Sequence, residues 1–300
     1  MWAFDLVGEG GAVTPLVLRR QPAGQRFSSQ GLPSVAAEAA LVRLAEGLGV
    51  PVPRVAFELP PGSPAGDGYA MVRIEGETMG GRVLKLPELA AARAGMAREC
   101  GRMLARLHSA RDFAHLGLRD QGAAEALDAL EARHRATVQD RPVFEYALRW
   151  LRANLAEDSR RVLLHGDFRN GNLIVGPDGI RAVLDWELAH VGPPAYDLAW
   201  MCVTSWRFQR PELPVGGFGT REDLLAGYAE AGGAPVDAAE LHAWEVFQTM
   251  NWGVMCAGVA AQVMEGQRSL EGAVIARRAS ETEFDLMRLL APDHEAWNAR

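Results

Sequence analysis

The chain has 300 residues, 48% hydrophobic and 23% charged, with a formal net charge of −7 at pH 7. That length allows about two domains with a real core, and the acidic balance argues against nonspecific binding to nucleic acid or to an anionic membrane. Cys100, Cys202 and Cys256 are odd in number and form no C-x-x-C pair, so neither a disulfide framework nor a zinc site is indicated, and a reducing cytoplasm is the default location.

The first ten residues lack the basic stretch and apolar run of a secretory leader. Trp2–Val7 and residues 16–20 read as antiparallel strands around a Gly8-Glu9-Gly10-Gly11 turn. A polar, glycine-rich linker follows at 21–32, and Pro33-Ser34 opens a helix to about Leu48 in which Glu38 turns back toward the sheet. Residues 52–59 and 69–74 are two further strand-like runs. Glu75-Gly76-Glu77 then breaks the pattern and marks a hinge, dividing the chain into residues 1–76, a small sheet with one helix, and residues 77–300, mainly helical. The fold class expected is α+β with two lobes.

Helical periodicity covers 87–108, 123–135, 143–156, 221–231, 238–266 and 270–290. The most apolar long stretch, 243–264, carries Glu245, Gln248, Asn251 and Gln262, which is too polar for a membrane span and reads as a buried helix. Trp244, Trp252 and Met255 share a face of it, and core packing is preferred there to an acceptor pocket. Of the 31 basic residues only Lys85 is a lysine.

The densest chemistry lies between Arg161 and Asp185. Gly176-Pro177-Asp178-Gly179 is a turn joining two β-prone runs, 173–175 and 180–184. Folding back there brings Asn172, entering the first strand, beside Asp185, leaving the second, with strands about 5 Å apart. Asp167, in a loop freed by Gly166 and Gly171, can turn its carboxylate to the same point. A base beside two hard oxygen ligands suits Mg²⁺ and phosphoryl transfer. Arg169 is close enough to offset charge on a transferring phosphoryl group, or it faces solvent. Glu187 either supports the metal ligands or caps the loop, and His165, before Gly-Asp in a tight loop, reads as a structural hydrogen-bonding residue.

Three motifs then carry a resemblance: H-G-D-x-x-x-x-N at 165–172, D-W-E at 185–187 and Y-D-L-A-W at 196–200. In order and spacing they resemble the aminoglycoside phosphotransferase and choline-kinase-like family, and V-L-R-R-Q-P-A-G with D-W-E-L-A-H-V-G looks most like the branch of kinase domains attached to acyl-CoA dehydrogenases. The resemblance implies a two-lobed protein-kinase-like fold and transfer of the γ-phosphoryl of ATP or GTP to a hydroxyl of a small molecule, with a hydroxy-acyl acceptor hinted. It implies Asp167 as catalytic base, Asn172 and Asp185 as Mg²⁺ ligands, Asp197 as a brace for the loop, and adenine held by backbone groups of about Val72 to Ile74. It also implies Arg19 on the phosphates, where many relatives have lysine, with Glu38 as its helix partner; Arg20 is the rival on the opposite strand face.

Relatives place a further strand and a Gly/Ser-rich loop before the strand resembling Trp2–Val7. Here the sheet is expected to lack them, leaving an exposed edge and an open nucleotide site, with Gly8–Gly11 a hairpin turn and not a phosphate loop. The rival readings are a nucleotide-binding pseudokinase without transfer activity and a metal-dependent hydrolase.

Overall fold

Glycine shapes the first turn. Gly8 N–H bonds to the Ala12 carbonyl (2.9 Å) and Gly11, at φ 77°, bonds back to the Gly8 carbonyl (2.9 Å), so β1 (Trp2–Val7) and β2 (Val13–Gln21) pair as an antiparallel hairpin. The computed structural model describes residues 1–21, 32–137, 139–266 and 269–291, so all but the ends of the linker expected at 21–32 lie outside the described residues. Helix α1 (Val35–Gly47) begins where the Ser34 Oγ accepts from the Ala37 N–H (3.1 Å) and stops before Gly49, which takes φ 74°. Its inner face, with Leu41, Val42 and Ala45, is buried on β3 (Val55–Glu58) and β4 (Asp67–Val72). Each large side chain buried there contributes about 1.5–3 kcal/mol.

The sheet order is β1-β2-β4-β3, antiparallel throughout, with β1 as the edge and only Phe4 of that strand half-buried. Two boundaries differ from the sequence reading. The run expected over 52–59 pairs only as Val55–Glu58, because Pro51 and Pro53 cannot donate to a ladder. The run expected over 69–74 ends at Val72: its N–H reaches the Arg54 carbonyl and that of Arg73 reaches Pro15, both at 2.9 Å, and Ile74 lies beyond the strand.

The chain then runs over Val175, exchanging two backbone hydrogen bonds with it through Glu77 (2.8 and 3.0 Å). A Cβ on Gly76 would stand 2.5 Å from Ile174 Cγ2, so glycine is required for that approach. The rest of the chain is mainly helical: α2 (Gly80–Val83), α3 (Ala90–His108), α4 (Ala123–Ala136), α5 (Pro142–Asn154), α6 (Ala195–Trp200), α7 (Arg221–Glu230), α8 (Ala238–Met264), α9 (Leu270–Ala276) and α10 (Arg278–Leu290). Between α5 and α6 lie β5 (Val162–Leu164), β6 (Leu173–Gly176), β7 (Gly179–Val183) and β8 (His190–Gly192), paired β5 with β8 and β6 with β7. The helix expected over 87–108 opens with a 3-10 turn, Pro87–Leu89, before α3 proper. The one expected over 270–290 is parted at Arg277: α9 buries no residue, whereas α10 buries Ala279, Leu286 and Leu289.

Helix α8 runs through the core, where its Glu245, Gln248 and Asn251 are partnered. Glu245 sits between Arg207 (2.9 Å) and Arg221 (2.8 Å), Gln248 donates to the Tyr196 carbonyl (3.0 Å), and Asn251 accepts from Arg133 (2.8 Å). No helix among the described residues is long and apolar enough to cross a membrane.

Helices α3 and α7 cross at two glycines. A Cβ on Gly101 would collide with the Leu224 carbonyl, and one on Gly227 with that of Arg98. Gly227→Ala forces a methyl into this backbone contact, an overpacking that costs about 1–3 kcal/mol. Its unfolding midpoint, followed by circular dichroism, should fall by roughly 2–5 °C, and an unchanged midpoint would show that the two helices separate freely.

Candidate active site

Strand β5 delivers the chain to a loop, residues 165–172, whose shape is held from two sides. Asp197, fully buried on α6, accepts from the backbone N–H of His165 (2.8 Å) and of Gly166 (2.9 Å). His108, closing α3, faces the same carboxylate at 3.3 Å through Nε2 and the Tyr228 hydroxyl at 2.9 Å through Nδ1. Burial alone would raise the Asp197 pKa, but the hydrogen bond and charge of His108, with His165 and the Gly166 N–H, hold it below the ordinary aspartate value. The His165 ring ties the loop to the hairpin: Nδ1 accepts from the Asp167 N–H (3.1 Å) and Nε2 donates to the Leu184 carbonyl (3.0 Å). Such a pattern needs a neutral ring, and burial lowers the His165 pKa accordingly. His165 is therefore structural, as its place before Gly-Asp suggested. His108, for which the sequence offered no constellation, belongs to the same brace.

The β6–β7 hairpin closes with the Leu184 N–H on the Asn172 carbonyl (2.8 Å), which sets Asp185 beside Asn172. Asp185 takes φ 69°, a left-handed conformation that Asp tolerates better than most residues, and its exposed carboxylate lines the cleft. Asn172 Nδ2 donates both to the Asp167 carbonyl (2.9 Å) and to Asp167 Oδ2 (2.6 Å). Its Oδ1 is thereby left for another partner. Asp167, 8% exposed, also receives Arg169 Nε (2.9 Å) and Trp200 Nε1 (2.7 Å) on Oδ1. The Arg169 guanidinium lies over the Trp206 ring, 4.5 Å from its centroid. Trp200 is a contact that sequence reasoning missed, although the residue stood in the Y-D-L-A-W motif.

Opposite the hairpin, Arg19 on β2 forks onto Glu38 of α1 (3.0 and 3.1 Å) and reaches Glu187 (2.8 Å). Arg20 points the other way, to the Ala65 carbonyl (2.7 Å) and over the Trp2 ring (4.2 Å), so Arg19 is the inward residue of the two. Glu187 is the second carboxylate on Arg19. Its pKa is raised by burial and then by nearby Asp185, and burial likewise raises that of Glu38 against the opposing pull of Arg19. The Arg19 pKa rises through its bonds to Glu38, so the guanidinium stays charged.

Between these two walls is a cavity of about 410 Å³. Arg19, Glu38, Val72, Ile74, Asn172 and Asp185 all line it. The Val72 N–H is already committed to the Arg54 carbonyl (2.9 Å). Trp252, grouped in the sequence with Trp244, instead packs against Trp200 and Trp206 (ring centroids 6.5 and 4.9 Å) behind Asp167, while Trp244 is core. Met255 of that face is 37% exposed.

Residues 4–235 match the family described as "Phosphotransferase enzyme family". The chain belongs to that family. It is 30% identical over 296 residues to the Arabidopsis thaliana protein named "Probable acyl-CoA dehydrogenase IBR3", covering 88% of this chain and 35% of that one. The phosphotransferase chain thus spans about a third of that relative, and the resemblance to kinase domains attached to acyl-CoA dehydrogenases is borne out. Among solved structures it resembles a choline/ethanolamine kinase family protein from Mesorhizobium loti (TM-score 0.65, 18% identity, 100% of this chain and 92% of that one). It also resembles the GDP complex of aminoglycoside 2'-phosphotransferase-IIIa (TM-score 0.62, 12% identity, 95% and 93%). The fold is therefore the kinase-like α+β fold, with a small antiparallel sheet and a helical portion.

In this phosphotransferase the Asp197 brace makes a direct test. Asp197→Asn replaces one accepting oxygen by a donor facing buried N–H groups, at a cost of roughly 2–4 kcal/mol. Urea unfolding should show a lower midpoint with an unchanged slope. A midpoint equal to that of the parent would mean that the loop holds its shape without this carboxylate.

Proposed function

We propose that the chain is a Mg²⁺-dependent phosphotransferase that moves the γ-phosphoryl of ATP or GTP to a hydroxyl of a small molecule. The observation that carries this reading is the meeting of Arg19–Glu38, Asn172 and Asp185 on one cavity, with Asp167 bonded to Asn172 at its edge. Residues 1–76 would form the nucleotide-binding lobe and residues 77–300 the catalytic and acceptor-binding lobe.

The donors suit a hard cation: an amide oxygen left over once Nδ2 is committed, and an exposed carboxylate beside it. Asn172 and Asp185 would hold Mg²⁺, which when bound neutralises phosphate charge. The Arg19 guanidinium, oriented by Glu38, faces the cavity where phosphates would lie. The Val72 carbonyl and the backbone at Ile74, both on the cavity wall, would meet the base. Asp167 uses three of about four lone-pair positions and keeps one for the proton of an acceptor hydroxyl. Arg169, once turned from Asp167 to the moving phosphoryl group, would offset its charge. The relative's name, an acyl-CoA dehydrogenase, supports a hydroxy-acyl compound as acceptor.

Incubation with labelled ATP or GTP, Mg²⁺ and a panel of hydroxylated metabolites that includes hydroxy-acyl compounds and aminoglycosides tests this. Acceptor-dependent transfer is expected; nucleotide binding without turnover would make the protein a pseudokinase, and turnover indifferent to every acceptor a hydrolase. Asp167→Asn should lower turnover by roughly 10²–10⁴-fold with little change in nucleotide affinity, and an equal loss of binding would sink its role as base. Asp185→Asn, which keeps the left-handed backbone accessible, should raise the Mg²⁺ concentration needed for half-maximal rate. Coincident magnesium titrations of variant and parent would remove Asp185 from the metal site.

A further inference from the structure

The two oxygens of Asp167 are not equivalent. Oδ1 accepts from Trp200 Nε1 (2.7 Å) and Arg169 Nε (2.9 Å), whereas Oδ2 accepts from Asn172 Nδ2 (2.6 Å). A carboxylate oxygen offers about two lone-pair directions, so Oδ1 is filled and Oδ2 keeps one open. Trp200 is 3% exposed and held by other rings: Trp206 at 5.3 Å and Trp252 at 6.5 Å between centroids. It is the last residue of α6, and Asp197, three residues earlier on that helix, holds the backbone of His165 and Gly166. One helical turn thus grips the loop twice, by its main chain through Asp197 and by its reactive carboxylate through Trp200.

We propose that Trp200 is a positioning residue for phosphoryl transfer, its indole N–H orienting Asp167 so that Oδ2 is the oxygen that takes the acceptor's proton. The proposal rests on the reading of Asp167 as base. As the acceptor oxygen bonds to the γ-phosphorus, its proton passes to Oδ2, the bond from that phosphorus to the β,γ-bridging oxygen breaks, and the nucleoside diphosphate leaves with the electron pair. Arg169 can serve the phosphoryl group only by leaving Oδ1. Trp200 then remains on Oδ1 and keeps the carboxylate from rotating at the moment it is used. A neutral, ring-packed donor suits that task, because it has no charge to be drawn toward the phosphates.

Trp200→Phe keeps a ring in the cluster and removes the N–H. With the acceptor unidentified, the readout is MgATP turnover with water as acceptor, measured as phosphate release. Loss of a hydrogen bond to a charged group predicts a roughly 10–100-fold lower kcat with KM for ATP within about twofold. The double variant with Asp167→Asn should be no slower than Asp167→Asn alone, since the group being positioned is already gone. A kcat equal to the parent's, or losses that multiply, would overturn the proposal. An Asp167→Asn variant as fast as the parent would instead overturn the reading of Asp167 itself. Crystal structures of parent and Trp200→Phe give an answer independent of turnover: the Asp167 carboxylate should rotate about its Cβ–Cγ bond, and an unmoved carboxylate would refute the proposal. Should the phenylalanine variant fail to fold, 3-benzothienylalanine at the same position, isosteric with tryptophan but without the N–H, carries the same expectations.

Discussion

The buried carboxylate of Asp197 is the constraint on which the rest of the site depends. An ionised carboxylate removed from water costs several kcal/mol unless its oxygens are fully engaged. Asp197 is engaged by two successive backbone N–H groups of the loop and by His108, which Tyr228 holds from the other side. These partners come from α3, α7 and the loop after β5, so the charge is satisfied only when three distant parts of the chain stand in one arrangement. Moving the loop by even an ångström would strand the charge. That is why 165–172 keeps its shape although it is neither helix nor strand, and why Gly166, whose Cβ would collide with the Leu188 carbonyl, has no freedom to become another residue.

A similar economy governs the opposite wall. The planar fork of Arg19 accounts for how it is used: Nε and Nη2 take the two oxygens of Glu38, while Nη2 also reaches Glu187. Nη2 alone bridges the two carboxylates, and Nε adds the second, parallel bond that fixes Glu38 in a planar fork, which a single ammonium centre does not offer. The consequence is mechanical as well as electrostatic. Glu38 lies on α1 against the sheet and Glu187 comes just after the hairpin, so one guanidinium links the two walls of the cavity.

Much of this was legible in the sequence where the signal is local. The Gly176–Gly179 turn announced the β6–β7 hairpin, and the hairpin put Asn172 beside Asp185; the spacing H-G-D-x-x-x-x-N put Asp167 with them. Alternation along β2 left Arg19 and Arg20 on opposite faces, but only the structure tells which face is inward. What was illegible is non-local or conformational. His108 and Asp197 are 89 residues apart, and Arg19 and Glu187 are 168 apart, with no periodicity to connect them. The left-handed turn at Asp185 arises from the closure of the hairpin, since Asp in a sequence does not by itself announce positive φ. Trp252 was grouped with Trp244 because both lie on one apolar helix, yet α8 meets the core along one length and the tryptophan cluster behind Asp167 along the other.

Negative charge crowds the cavity and its edge, and this explains the placing of Arg19 and Arg169. Glu38, Asp185 and Glu187 gather near one another, and burial together with mutual repulsion raises the pKa of both glutamates. Arg19 offsets two of the three, Glu38 and Glu187, and Arg169 offsets Asp167. Asp185 alone of this group has no arginine among these contacts, and it is also the exposed one. The uncompensated carboxylate therefore stands at the solvent-facing side of the cavity, next to the free amide oxygen of Asn172, where water can solvate it and where a cation arriving with phosphates would meet least competition from the protein's own arginines.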